Sequence, residues 1–165
     1  MSFWLLLVVQ LSALACAILG GVFLAFSDFL MRSLSLATQP AGVEVMQVIN
    51  REVFRFVFIP LFLAMVPVSI FLAGYGWLRL SGPSGGLIIA AALVYLLGAF
   101  GVTILCNVPL NNQLAAFADG STGAQDFWVT TYLRDWTSWN TVRTMACIAS
   151  AGMLAATVVI HAKPV

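Results

Sequence analysis

Residues 132–161 read YLRDWTSWNTVRTMACIASAGMLAATVVIH, and this stretch decides the fold. Its second half, 145–160, carries no charge. A helix crossing a hydrocarbon core about 30 Å thick needs about 17–25 mostly apolar residues. The first half places Tyr132, Trp136, Trp139, Asn140 and Arg143 at intervals of four, three, one and three. At about 100° per residue these fall on one helix face. A guanidinium at the mouth of a spanning helix is costly unless it faces protein, water or a ligand. The segment therefore predicts a membrane helix that opens with a polar, aromatic face.

Outward from it, the chain is 62% hydrophobic and 8% charged, too little charge to solvate a globular surface. Uncharged runs at about 3–26, 56–78 and 86–106 join the one at 144–160, and each is long enough to span. The expected fold is an all-α membrane protein: a single domain over 1–165, built as a four-transmembrane-helix bundle. The first run lacks a basic leading segment and is expected to be a span rather than a cleaved signal. The chain is thus expected to be a multi-pass integral membrane protein of the cell membrane.

Four spans place both termini and the turn LSGPSG on one side. All six acidic residues (Asp28, Glu44, Glu52, Asp119, Asp126, Asp135) fall on the other side, with Arg32, Arg51, Arg55, Arg134 and Arg143. Arg79 and Lys163 are left on the terminal side. Counted alone, the cations would make the charged side cytoplasmic. Arg55 and Arg143 sit inside helical patterns, however, so orientation stays open. Ala17, Gly21 and Ala25 form a small-residue stripe suited to close helix packing, as do Gly98 and Gly101 on the third span.

Polar chemistry gathers in three places. After Pro40, Ala41 and Gly42, an amphipathic helix should start near Val43 and run directly into the second span. Its apolar stripe is Met46, Ile49, Val53 and Val57. It reads either as an interfacial helix with a solvated face or as a lid contributing Gln47, Asn50 or Glu52. At the end of the third span, Asn107 and Asn111 would share a face. Pro109 would end the helix in a kink and free the carbonyl of Leu105. The alternative is a terminus capped by its own asparagines. The third place is the face from Tyr132 to Arg143, either an interfacial aromatic belt or one wall of a pocket shared with Asn107 and Asn111.

The inventory excludes several functions. The lone histidine, His161, lies on the side away from this cluster, so a histidine-built metal or haem site is not expected and no cofactor is called for. Cys16, Cys106 and Cys147 form no C-x-x-C pair; a Cys106–Cys147 disulfide is conceivable, and buried thiols are the plainer expectation. No phosphate loop or nucleophile elbow occurs. No basic patch supports nucleic-acid binding. Dry mid-spans weaken a transport reading. Expected partners are membrane lipids, a hydrophobic small molecule arriving from the lipid phase, and a second copy if the site is completed between subunits.

FLAFSDFLM after the first span, MQVIN before the second, NVPLNNQL after the third and W-x-x-W-N-x-x-R opening the fourth together resemble the anthrone oxygenase-like family of small integral membrane proteins. The resemblance implies oxidation of a hydrophobic aromatic, anthrone-like substrate by dioxygen, without a conventional cofactor. On that reading Arg143, Asn140 and Asn107 would hold a developing oxyanion. Trp136 and Trp139 would stack on the rings, with Tyr132, Asn111 and Asn50 completing the substrate site. Asp28 or Glu52 would take the proton. The competing expectation is a non-catalytic membrane module whose polar cluster only locks the helices. It requires no cavity, and an Arg143 saturated by carboxylates and carbonyls.

Overall fold

The computed structural model describes residues 1–162, so Lys163 lies outside the described residues. The described chain is helical throughout, without a strand. Its helices are α1 (Phe3–Leu36), α2 (Ala41–Glu52), α3 (Phe58–Arg79), α4 (Pro83–Ala115) and α5 (Thr122–His161). α1, α3, α4 and α5 are each long and apolar enough to cross a membrane.

Local chemistry sets the ends. Ser2 and Ser121 accept from the amides of Leu5 and Ala124, each at 3.3 Å, and so cap α1 and α5. Gly82, at φ +75°, makes the tight turn after α3, and Pro83 then opens α4 where no amide donor is needed. The N-terminal amine lies 3.4 Å from His161 Nε2, which places both termini at one end of the bundle.

Three helices outrun the expected spans. The 40 residues of α5 reach about 60 Å at 1.5 Å per residue, twice the hydrocarbon thickness. α1 and α4, with 34 and 33 residues, overshoot at the same end. Each passes through a π-helical turn toward that end, Phe26–Leu30 in α1, Thr103–Asn107 in α4 and Trp128–Tyr132 in α5, and α4 has another at mid-length, Tyr95–Gly101. Pro109 accordingly does not end the third helix. It falls in the first turn after the second π segment, where a missing donor costs little, and α4 continues to Ala115.

α2 does not run into the second span. A 3₁₀ turn at Val53–Arg55 and an extended Phe56 (φ −125°, ψ −162°) separate it from α3. Its buried face is Gly42, Val43, Met46 and Gln47, whereas Val57, expected on the apolar stripe, is exposed. Gly42 lets α2 press against the carbonyl of Leu34, which any Cβ would strike.

The core runs in three clusters along the bundle. Leu5, Val9, Leu72, Ile88, Ala91, Ala92 and Leu154 fill the terminal end, and Cys16, Leu19, Phe23, Phe62, Met65, Tyr95 and Cys147 the middle. Met31, Val43, Met46, Leu114, Trp128, Tyr132 and Trp136 pack under α2. α1 turns Cys16 and Gly20 inward, with Gly20 against Cys147; the stripe expected at Ala17 and Gly21 faces outward. Gly98 does pack closely: a Cβ there would lie 2.7 Å from that of Ala146, so its absence lets α4 and α5 meet. Cys106 and Cys147 are both free thiols.

Candidate functional site

A cavity of about 500 Å³ lies at the extended end, between α1, α3, α4 and α5, beneath α2 and the 53–56 linker. Its walls are almost wholly apolar. Val22, Phe23 and Phe26 come from α1, Phe58, Ile59, Phe62 and Leu63 from α3, and Ile104 and Val108 from α4. Polar lining is confined to Asn50, Glu52, Thr103, Asn111, Trp136 and Arg143.

Arg143 projects from α5 and is 6% exposed. Nη2 donates to Asn140 Oδ1 at 2.7 Å and Nη1 to Thr103 Oγ1 at 3.3 Å, while Nε has no partner. The guanidinium carbon lies 4.4 Å from the centre of the Phe23 ring and 5.2 Å from that of Trp136. These π faces offset part of the desolvation of the cation. Among the described residues no carboxylate pairs with it; the ion pairs are Arg51–Asp119, Arg55–Glu52 and Arg134–Asp135. A buried cation without a carboxylate partner at a cavity wall can be compensated by a negative charge inside the cavity.

Asn140 fixes this guanidinium. Its amide nitrogen donates at 2.7 Å to both the Phe23 carbonyl and Ser27 Oγ, where the π turn of α1 begins. Its oxygen is thereby aimed at Arg143. Thr103 is held in turn by donating to the Ala99 carbonyl at 2.8 Å. α1, α4 and α5 are thus joined through the hydrogen bonds of two side chains, Asn140 and Arg143.

A second network borders the first. Asn111 Oδ1 accepts from Tyr132 Oη at 2.7 Å and from Trp136 Nε1 at 2.8 Å. Asn50 Nδ2 donates to Tyr132 Oη at 3.2 Å, tying α2 to α5. Trp128, Tyr132 and Trp136 stack in a column, with centroids 5.3 and 6.1 Å apart and planes within 20°. Gln47 Nε2 donates to the carbonyls of Leu114, in the last turn of α4, and Phe117, just past its end. Arg51 adds a forked pair to Asp119 at 3.2 and 3.3 Å. α2 lies as a lid held by α4 and α5 and, at Gly42, by the end of α1.

The anticipated residues separate into four groups. Asn50, Glu52, Asn111, Trp136 and Arg143 line the cavity. Tyr132, Asn107 and Asn140 stand behind that lining; Asn107 is buried, donates to the Trp136 carbonyl at 3.1 Å and leaves its own oxygen unpartnered. Trp139 points out of the bundle at 42% exposure, because α1 and α4 close on α5 along the edges of Asn140 and Arg143. Asp28, one of the two expected proton acceptors, is exposed and off the cavity, and the other, Glu52, pairs with Arg55 at 3.2 Å. Thr103, Phe23 and Ser27 were not singled out from sequence. A threonine four residues before Asn107 in an apolar run was the available signal for the first; the others needed the packing of α1. Among the described residues no three His, Cys, Asp or Glu side chains converge on a metal-sized site.

Fold and site together define a membrane protein with an apolar cavity and one uncompensated cation at its polar end. The family model for anthrone oxygenase matches residues 51–153, more than half of the chain, and the protein belongs to that family. The match takes in α3, α4 and the site portion of α5, and leaves out Phe23, Met46 and Asn50, which line the cavity, and Ser27, which holds Asn140. No curated protein and no solved structure matches the chain.

Proposed function

We propose that the protein is an oxygenase of the cell membrane, oxidising a hydrophobic, anthrone-like aromatic compound with dioxygen. One observation carries the reading: the carboxylate-free guanidinium of Arg143 on the wall of an apolar cavity of about 500 Å³. Such a donor in a dry site stabilises an oxyanion far more than it would in water. The non-catalytic alternative requires a closed, carboxylate-saturated Arg143, and the cavity and the unpartnered Nε speak against it.

The chemistry starts with loss of a proton from the acidic ring CH₂ of the anthrone. Glu52 is the carboxylate on the cavity lining and is the candidate base. The resulting anthrolate oxygen lies at Arg143, held there through Asn140 and Thr103. The electron-rich anion passes one electron to dioxygen, and the carbon radical couples with superoxide to form a C–O bond. Loss of the remaining ring C–H proton with cleavage of O–O gives the quinone carbonyl. In sum, anthrone and dioxygen become anthraquinone and water, so no further oxidant or reductant is consumed. Phe23, Phe26, Phe58, Phe62 and Trp136 exclude water from the intermediates and offer faces for flat rings. The test is anthrone oxidation by membranes carrying Arg143→Leu. Turnover equal to that of the parent protein would remove the oxyanion role.

A further inference from the structure

The cavity is polar at one end, and its apolar wall opens to the surroundings of the bundle. Arg143, at 6% exposure, sits inside, whereas Val22 of α1, Leu63 of α3 and Ile104 of α4 line the same cavity at 37%, 50% and 48% exposure. These three fall in the uncharged runs of membrane-length helices, a placement that favours hydrocarbon as the medium they face. α2 is fastened to α4 and α5 through Gln47, Asn50 and Arg51 and to the end of α1 at Gly42, which leaves the wall around α3 for entry.

We infer that this site takes tailed aromatic amphiphiles from the bilayer, the acidic oxygen at Arg143 and a hydrocarbon chain leaving past Leu63 and Ile104 into the lipid. The inference takes its head-group chemistry from the oxygenase reading but concerns binding alone. A compact tricycle would satisfy Arg143 and leave the outer wall unfilled. A chain covers that wall and stays in the medium it came from. The apolar lining then selects by chain, since buried methylenes each add to affinity and a dry wall offers a polar substituent no partner.

The experiment uses the full chain in nanodiscs of neutral phosphatidylcholine, with binding corrected for partition into empty discs. The probes are 1-hydroxyanthrone with and without a dodecyl chain, each measured for binding and for oxidation. The tailed probe is expected to bind at least about tenfold more tightly. Leu63→Trp and Ile104→Trp plug the wall from lipid-facing positions and should bring that preference to about unity, and Arg143→Gln should weaken both probes. Equal affinity of the two probes for the parent protein overturns the inference, as does a preference untouched by both tryptophans. A tailed probe that binds as expected and is not oxidised leaves the inference standing and removes the oxygenase reading. Oxidation of both probes with equal affinity does the reverse.

Discussion

At the end of the bundle that holds both termini, Leu5, Val9, Leu72, Ile88, Ala91 and Leu154 close on one another at 5% exposure or less. At the other end Arg143, Asn140, Asn107 and Tyr132 are buried as deeply, beside a cavity of about 500 Å³. The π segments at Phe26–Leu30, Thr103–Asn107 and Trp128–Tyr132 lie at this second end. So do the buried side-chain polar atoms without a partner among the described residues: Gln47 Oε1, Asn107 Oδ1 and Arg143 Nε. Buried polar groups are nearly always satisfied, and exceptions collect where a ligand is expected. The contrast teaches that one end of the bundle is packed for stability and the other leaves polar groups unsatisfied around a cavity.

Arg143→Leu should break the comparison most sharply, because its two effects have opposite signs. Turnover should fall by about a hundred- to a thousandfold, the range for loss of an oxyanion donor. Thermal stability in detergent should hold or rise, since an apolar side chain replaces an unpaired buried charge. A large loss of stability would instead mark Arg143 as a structural lock. Next comes Glu52→Gln, expected to slow oxidation about a hundredfold by removing the base. Asp28→Asn, on the exposed surface of α1, should leave kcat within about twofold, and a collapse there would reassign the proton acceptor.

Leu72→Ala probes the closed end. It should lower unfolding stability by about 2 kcal/mol or more while the folded fraction keeps its specific activity. Asn140→Ala spans both regions, costing about 1–2 kcal/mol by stranding Ser27 and Arg143, and slowing turnover because the guanidinium loses its aim. The smallest effect belongs to Trp139→Phe, within about 0.5 kcal/mol and with kcat unchanged, since the indole faces outward. A kcat loss in that variant would return Trp139 to the substrate site.

Much of this was readable in the chain. Four uncharged runs predict four spans because backbone groups in hydrocarbon must bond internally, which leaves helices as the simple solution. The pairing of N-x-P-L-N with W-x-x-W-N-x-x-R pointed to the site, because amides and a guanidinium at membrane depth are too costly to be idle. Spacing failed where the helix changed register. Pro109 looked like a terminus because an α-helix was assumed, and the π turn before it moved the proline into a first turn. Trp139 shares its arc with Trp136, and only the approach of α1 and α4 placed one outside and the other on the cavity. The Ala17–Gly21 stripe met the spacing rule for close contact, yet α5 packs on the adjacent arc at Cys16 and Gly20.

The sequence by itself determined the number of spans, the family and the chemical kinds present at one end, because hydrophobic length and the cost of buried polarity act residue by residue. Only the tertiary structure decided that Arg143 is left without a carboxylate, that Asn140 aims it, and that exposed apolar side chains of α1, α3 and α4 form the outer wall of the cavity. Those facts depend on which side chains from distant segments arrive at the same place. Spacing along one helix does not contain that information.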